Sequence, residues 1–215
     1  MFVPATPVQP ALTLVPVGVV SAAPATIATP SHTTFKVHSE QLNVLENHRT
    51  TVTGRLLEGG HDAQAGRAVS LQALVGHGWR TLALAHTGSR GRFRVSYTPR
   101  RLGSRLLRLH FTGDAYARSA RRRLGRLNVY RLAGASWYGG GGGMACGGQL
   151  TSSTLGVANK TLPCGTLVTL HYGGNTVRVP VVDRGPYVAG REFDLTEATK
   201  RALGFGDTGQ IWSTG

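Results

Sequence analysis

The sequence predicts an all-β protein in which two β domains follow an N-terminal leader. Glycine and proline account for 30 and 10 of 215 residues, and they favour turns and short strands over long helices. Apolar and polar residues alternate over short runs, which is the period of a half-buried strand. A hydrophobic fraction of 40% is enough for a packed core, and the length suits one large or two small domains. No run of 18 apolar residues exists, so a transmembrane helix is not expected.

Residues 1–34 are predicted to be a leader without a fold of its own. Residues 1–33 contain neither lysine nor arginine. Residues 11–20 resemble the apolar centre of a secretory signal, and residues 21–23 would suit its cleavage site, although the basic segment that normally comes first is missing. A disordered leader or wall-spanning linker rich in Pro, Ala and Thr is the alternative.

Residues 35–130 are predicted to form a β-sandwich. Six or seven short strands are expected here, with glycine-rich turns between them. The predicted strands include residues 51–56, 68–74, 79–85, 93–97, 107–111 and 127–130. The segment 111–119, with Gly113, Asp114 and Tyr116, resembles a Gly-Asp…Tyr segment of bacterial immunoglobulin-like repeats on surface proteins. That resemblance implies an immunoglobulin-like sandwich with a spacer or adhesive role.

Positive charge is concentrated in the first part of the chain. The net charge is +14, but the chain from Gly134 onward holds six basic and five acidic residues, so the part before it carries +13. This part is expected to hold the protein near a polyanion, either nucleic acid or an anionic cell-wall polymer, unless it is only a solvated arginine-rich surface. No aromatic residues alternate with the basic ones and no recognition helix is predicted, so nucleic acid is not expected. The densest basic run contains Arg118, Arg121, Arg122, Arg123, Arg126 and Arg131.

Residues 131–215 are predicted to form the second β domain. Strands are expected at 167–172, 176–182 and 210–213, and a mobile loop is expected over the five glycines at 139–143. Residues 172–175 suit a hairpin turn between the first two strands. Asp194 or Thr196 would cap a short helix that runs to Leu203, with Gly204 just past its end.

Two cysteines, Cys146 and Cys164, lie in this second domain. An even pair in a small β-rich segment predicts one disulfide and an oxidising compartment, and two buried thiols are the alternative. His171 is the only histidine after Gly134, so a zinc site is not expected.

The candidate catalytic groups are Asp183 and Asp194, which lie near the ends of apolar, strand-like runs. Arg184, Gly185 and Pro186 stand where a turn is needed, and acids on strand ends beside a turn are typical of a polysaccharide-cleaving groove. Two structural alternatives remain. Asp183 and Arg184 would form an internal ion pair or cap backbone amides, and Asp194 would be the helix N-cap.

Five segments of the second domain together resemble the rare lipoprotein A (RlpA)-like double-psi β-barrel family, in the form of its secreted actinobacterial members. They are residues 135–139 (ASWYG), 145–148 (ACGG), 156–165 (GVANKTLPCG), 182–187 (VDRGPY) and 194–196 (DLT). The resemblance implies a six-stranded barrel closed by a Cys146–Cys164 disulfide, in a secreted or cell-wall protein that acts on peptidoglycan glycan strands. Active members are lytic transglycosylases, which need one acid that protonates the glycosidic oxygen and then deprotonates the C6 hydroxyl of the same sugar.

The resemblance also implies roles for individual residues. Asp183 would be the catalytic acid and base, and Asp194 and Asn159 would support it. No cofactor or metal is implied, and a monomer is expected. The residues expected to contact substrate are Arg184, Trp137, Tyr138, Lys160 and Tyr187.

Two departures from the family keep other functions open. Asn159 replaces a histidine and cannot shuttle a proton at neutral pH, and residues 147–150 lack the carboxylate that active relatives carry nearby. A non-catalytic glycan-binding or expansin-like wall-loosening protein is therefore the alternative. An adhesive surface protein is a third hypothesis.

Overall fold

The computed structural model describes residues 1–2 and 29–215. Most of the predicted leader, including the signal-like residues 11–23, therefore lies outside the described residues. The described chain joins the first domain at Ser31, whose backbone bonds to Tyr116 and Arg118. Strands dominate the rest, which confirms the all-β prediction. In the described part of the chain, no helix is long and apolar enough to cross a membrane.

Two sheets build the first domain, and β9 extends from it into the second. One sheet pairs β3 with β1, β4 and β7, and the other has the order β6-β5-β8-β9, with β2 beside β9. The strands are β1 (Thr33–Glu40), β2 (Asn43–Leu45), β3 (Thr50–Glu58), β4 (His61–Asp62), β5 (Ala68–Val75), β6 (Gly78–His86), β7 (Arg92–Tyr97), β8 (Gly103–Phe111) and β9 (Ala120–Tyr138).

The two sheets pack face to face on one hydrophobic core. Val52 and Phe93 from the first sheet contact a cluster that includes Leu71, Leu109 and Val129 from the second. These apolar residues alternate with polar ones along each strand, so one face of each sheet is buried and the other is solvated. The immunoglobulin-like assignment of this sandwich stays a prediction.

Six strands close the second domain into a barrel, which confirms the predicted architecture. Around the ring they run β9-β15-β12-β14-β13-β16 and return to β9; the β12–β14 and β15–β9 pairs are parallel. The elements after β9 are β10 (Gly142–Gly143), β11 (Gln149–Leu150), β12 (Val157–Ala158), β13 (Leu167–Tyr172), β14 (Asn175–Asp183), β15 (Phe193–Thr196), α1 (Glu197–Leu203) and β16 (Thr208–Ser213).

Local turn chemistry follows the sequence closely in the barrel. Gly173 and Gly174 both have positive φ and connect β13 to β14 as the predicted hairpin turn. Helix α1 ends at Gly204, which adopts the left-handed conformation that suits glycine. The glycine run differs from expectation in part, because Gly142 and Gly143 pair with β11 in a short hairpin.

Strand β9 belongs to both domains, so no linker separates them. The predicted boundary at residues 130/131 falls inside this 19-residue strand. Tyr130 is fully buried there, with its ring 5.8 Å from those of His171 and Trp212 of the barrel. Its hydroxyl donates to Asn43 Oδ1 of the sandwich at 2.8 Å, and burial raises the pKa of Tyr130 to about 12. Aromatic packing and a buried hydrogen bond thus join the two domains.

Candidate functional site

Both candidate acids lie in one row across four neighbouring barrel strands. Asp183 on β14 is in register with Ala158 on β12, which is in register with Asp194 on β15, and Asp194 faces Ser136 on β9. Residues in register share a face of the sheet, so the two carboxylates lie on the same face with one strand between them. Strand spacing places their Cα atoms about 10 Å apart.

A β-bulge at Val182 brings Asp183 into this row. Val157 pairs with Val181 while Ala158 pairs with Asp183, so β14 carries one extra residue. Without the bulge, Asp183 would share the inward face of Val181, which is buried in the barrel core. Gly156 makes room for it, because a Cβ there would lie 2.5 Å from a methyl group of Val182. The bulge therefore turns a carboxylate from the barrel interior to its outer face.

One oxygen of Asp183 is fixed by the backbone and the other is free. Oδ1 accepts the N–H groups of Ala145 and Arg184, both at 2.8 Å. Oδ2 accepts no hydrogen bond from the residues that the structure describes. The alternative in which Asp183 caps backbone amides is thus correct for one oxygen. The carboxylate is held in one orientation with an atom left for a ligand.

Asp194 is held by the neighbouring strand and not by the helix. Its Oδ1 accepts a hydrogen bond from the hydroxyl of Ser136. Thr196 is the N-cap residue of α1, so the N-cap alternative for Asp194 is wrong. A Cβ on Gly185 would lie 4.0 Å from Asp194 Oδ2 and 3.8 Å from the ring of Tyr187, so this carboxylate and that ring flank the turn after β14.

Tyr138 places a buried hydroxyl beside the two acids. It lies two residues after Ser136 on β9 and therefore on the same face. Burial, contact with Asp183 and the charge of Asp194 raise the pKa of Tyr138 well above its ordinary value. The hydroxyl is therefore protonated at any neutral pH. Among the described residues it has no acceptor in full hydrogen-bond geometry, which leaves it as an available donor.

Arg184 and Asn159 shape the loop beside the row and do not point into it. The Arg184 guanidinium donates to the carbonyls of Asn159 and Leu162, each at 3.0 Å, so the predicted ion pair with an acid is not formed. Asn159 Oδ1 accepts from the backbone of Thr161 and Leu162, and its Nδ2 donates to the Glu192 carbonyl at 3.0 Å. The Asn159 amide is occupied by backbone groups, and the Arg184 guanidinium is occupied by two carbonyls and by Cys164 Sγ at 3.1 Å. They support the loop, and the substrate contact of Arg184 and the catalytic support of Asn159 stay predictions.

The Cys146–Cys164 disulfide forms as predicted and joins two segments of the site. Cys146 donates its N–H to the Val182 carbonyl at 3.2 Å, next to the Ala145 N–H that holds Asp183. Cys164 belongs to the loop that Arg184 holds. The disulfide therefore anchors the backbone that orients Asp183.

The remaining predicted contact residues are spread around the barrel. Trp137 lies on the opposite face of β9 from Tyr138; its indole N–H donates to Asp207 and Lys200 lies 3.8 Å from its ring centroid. The two aromatic residues therefore do not form one stacking platform. Tyr187 is 81% exposed beside Asp194 and is the better placed ring, and Lys160 is exposed on the loop.

A closed six-stranded barrel with two parallel strand pairs places this domain in the double-psi β-barrel class. Residues 132–212 match the family model described as "Lytic transglycolase". The probable endolytic peptidoglycan transglycosylase RlpA of Aquifex aeolicus is 44% identical over 75 residues, which are 33% of each chain. The protein of the same name from Synechocystis is 40% identical over 88 residues, 38% of this chain and 27% of the relative. The Pseudomonas aeruginosa endolytic peptidoglycan transglycosylase RlpA is 38% identical over 87 residues, 38% of this chain and 26% of the relative.

The second domain is therefore an RlpA-like double-psi β-barrel, as its motifs predict. The chain spans about a quarter to a third of the length of these curated relatives. Among solved structures, the Streptomyces papain inhibitor aligns with 39% of this chain and 91% of its own chain at 22% identity. Its TM-score of 0.33 supports no functional conclusion.

Proposed function

We propose that the barrel cleaves peptidoglycan glycan strands as a lytic transglycosylase, with Asp183 as acid and base. The observation that carries the proposal is the state of Asp183. Two backbone amides fix one of its oxygens and the other is open, in the same row as Asp194. The names of the similar proteins support this reaction class.

A single acid is sufficient for this chemistry. Asp183 Oδ2 would protonate the glycosidic oxygen as the bond from C1 to that oxygen breaks. The resulting carboxylate would then take the proton of the sugar's own C6 hydroxyl as O6 bonds to C1, so the proton is returned and no water is consumed. Holding the reacting groups in one geometry makes the ring closure intramolecular.

The neighbouring groups have supporting roles in this proposal. The Asp194 carboxylate, oriented by Ser136, would stabilise positive charge that develops at C1. The Tyr138 hydroxyl would hold the carboxylate form of Asp183. Tyr187 would offer an aromatic face to a sugar ring at the rim, with Lys160 on the loop nearby.

The proposed substrate places the protein outside the cytoplasm, as a secreted or wall-associated protein. The disulfide supports this location, because such bonds persist in oxidising compartments. The basic first domain would add an interaction with anionic wall polymers.

A non-catalytic glycan-binding or wall-loosening function is the second candidate. It is favoured by Asn159, whose amide is committed to the loop and cannot carry a proton. In this case the acid row would bind glycan hydroxyls without cleaving the chain.

Mass spectrometry of soluble products separates the two functions. Purified protein is incubated with intact peptidoglycan and with peptidoglycan stripped of stem peptides, beside Asp183→Asn and the control Asp207→Asn. Asp207 is an exposed acid of the same domain that pairs with Lys200. The proposal predicts anhydro-muramyl products from the wild type and the control and none from Asp183→Asn.

Absence of soluble product from the wild type, with retained binding to sacculi, would overturn the enzymatic proposal in favour of the binding function. Equal product from Asp183→Asn and the wild type would overturn only the role of Asp183, and the enzymatic proposal would stand.

A further inference from the structure

Four basic side chains form two adjacent cross-strand pairs on the outer face of the sandwich. Arg108 on β8 faces Arg123 on β9, and His110 faces Arg121. Their strand neighbours Leu107 and Leu109 point into the core. Two residues of strand separate the pairs, which is about 7 Å. We call Arg108, His110, Arg121 and Arg123 the basic patch.

No carboxylate compensates this patch. None of its four residues makes an ion pair in the described part of the chain. Burial, followed by the neighbouring arginines, lowers the pKa of His110, and burial and Arg121 lower that of Arg108. Arg108 and Arg123 are like charges directly opposite each other, and such a pair destabilises neighbouring strands, so it works against the fold.

Two other arginines of the first domain have carboxylate partners. Arg67 pairs with both Glu58 and Asp114, and Arg55 pairs with Asp62. These carboxylates neutralise the charge of both arginines. The arginines of the patch keep their positive charge without a carboxylate partner in the described part of the chain, and strand pairing brings these charges together.

Contacts with neighbouring side chains also restrict the conformation of Arg108. Its Nε donates to Gln72 Oε1 at 2.8 Å, and its guanidinium carbon lies 4.1 Å from the ring centroid of Trp79. These contacts restrict the side chain while its two terminal nitrogens keep their N–H donors. A guanidinium fixed in this way loses less entropy when it binds an anion.

We propose that the basic patch binds a linear polyanion whose repeating groups are phosphates or carboxylates. The Arg108–Arg123 row and the Arg121 guanidinium of the next row, about 7 Å apart, would contact two successive anionic groups of an extended chain. Arginine binds either group with paired N–H donors. Strand β9 continues from the patch to Ser136 and Tyr138, so the bound polymer and the acid row would lie along one rigid element.

Nucleic acid fits this surface less well. Stacking of bases requires a free aromatic face, and the Trp79 ring is already covered by Arg108. The patch lies on a flat sheet face, which offers no helix or ribbon to enter a groove.

The proposal rests on the proposed function, because it specifies where the first domain would bind an anionic wall polymer. This binding does not depend on the chemistry of the barrel. Asp183→Asn should therefore bind the polymer as the wild type does, and the two proposals fail separately.

The test is binding of the full chain to poly(glycerol phosphate) and to polygalacturonate, measured by isothermal titration calorimetry over a range of salt concentrations. The variant is Arg121→Gln/Arg123→Gln. The control is Arg100→Gln/Arg101→Gln, which removes the same charge from the connection between β7 and β8. We expect the patch variant to bind at least about tenfold more weakly, with a salt slope smaller by about two, and the control to bind like the wild type.

The two polymers identify which anionic group is preferred. A thermal melt checks the fold, and the patch variant should melt at or above the wild-type temperature because the like-charge pair Arg108–Arg123 is removed. Equal weakening by both double variants would overturn the proposal in favour of general charge attraction. Tighter binding to duplex DNA than to either polymer, or no binding at low salt, would also overturn it.

Discussion

The sandwich and the barrel differ in where their unpaired acidic residues lie. In the sandwich, Glu58, Asp62 and Asp114 are paired with arginines, and the two acids without an ion pair in the described chain lie apart: Glu40 ends β1 and Glu46 follows β2. In the barrel, Glu192, Glu197 and Asp207 are paired with basic residues, whereas Asp183 and Asp194 are not. The fold therefore brings the two unpaired acids of the barrel into one row, whereas those of the sandwich are separate. Among the five acids of the barrel, the two of the acid row are the ones that make no ion pair in the described chain.

The largest expected effect is that of Asp183→Asn. The amide keeps the shape of the side chain but cannot donate and recover a proton. Glycan cleavage should fall at least about 100-fold, since general acid–base catalysis typically contributes that much or more. Release of anhydro-muramyl ends measures the change. Retained binding to sacculi would show that the groove is intact, and a loss of both would mean that Asp183 is structural.

Removing the disulfide should have the next largest effect. Cys146→Ala/Cys164→Ala opens a loop of 18 residues, and chain entropy predicts a loss of about 3 kcal/mol in unfolding free energy. Urea unfolding of the oxidised wild type and the double variant measures it. Cleavage should fall as well, because the segment that supplies the Ala145 N–H to Asp183 loses its anchor. Unchanged activity in a destabilised variant would show that the disulfide is not needed to orient Asp183.

Tyr138→Phe should reduce turnover more modestly, by about tenfold, with little change in KM. It removes the hydroxyl donor that we propose stabilises the carboxylate form of Asp183, and it leaves the ring in place. Burial and the two carboxylates raise the pKa of Tyr138, so its hydroxyl does not titrate below pH 10. The wild type and the variant should therefore show the same alkaline limb in their pH–rate profiles below pH 10. A limb that disappears in Tyr138→Phe would mean that this hydroxyl titrates during catalysis.

The smallest effects separate the aromatic residues. Tyr187→Ala should weaken glycan binding several-fold, because the exposed ring flanks Asp194. Trp137→Ala should leave binding unchanged, because that ring lies on the opposite face of β9 under Lys200. Binding to sacculi of the two variants makes the comparison. If Trp137→Ala weakened binding and Tyr187→Ala did not, the glycan would bind on the Trp137 side of the barrel.

Local features of the barrel could be predicted from the sequence, and register could not. Gly173-Gly174 requires positive φ and Gly204 ends a helix, so each is a signal contained in a few residues. The pairing of Cys146 with Cys164 follows because no other cysteine exists. The bulge at Val182 depends on packing against Gly156, which is distant in sequence, and no local pattern reports it. Without the bulge, the position of Asp183 on the outer face cannot be derived.

Side-chain roles were the least predictable part of the site. Arg184 follows Asp183 directly, and that proximity suggested an ion pair, yet its guanidinium reaches the carbonyls of a loop about 20 residues earlier. Ser136 lies 58 residues before Asp194, so this partnership becomes visible only when β9 and β15 pair. The continuity of strand β9 across both domains could not be predicted from the sequence either, because each half of the strand pairs with different strands.

The most direct test of the contrast between paired and unpaired acids is glycan cleavage by five single variants of the barrel. These are Asp183→Asn, Asp194→Asn, Glu192→Gln, Glu197→Gln and Asp207→Asn, all assayed on peptidoglycan stripped of stem peptides. We predict that the first two lose activity and that the other three keep it. Activity that survives in both Asp183→Asn and Asp194→Asn, or that is lost equally in all five, would contradict the assignment of the acid row as the functional site.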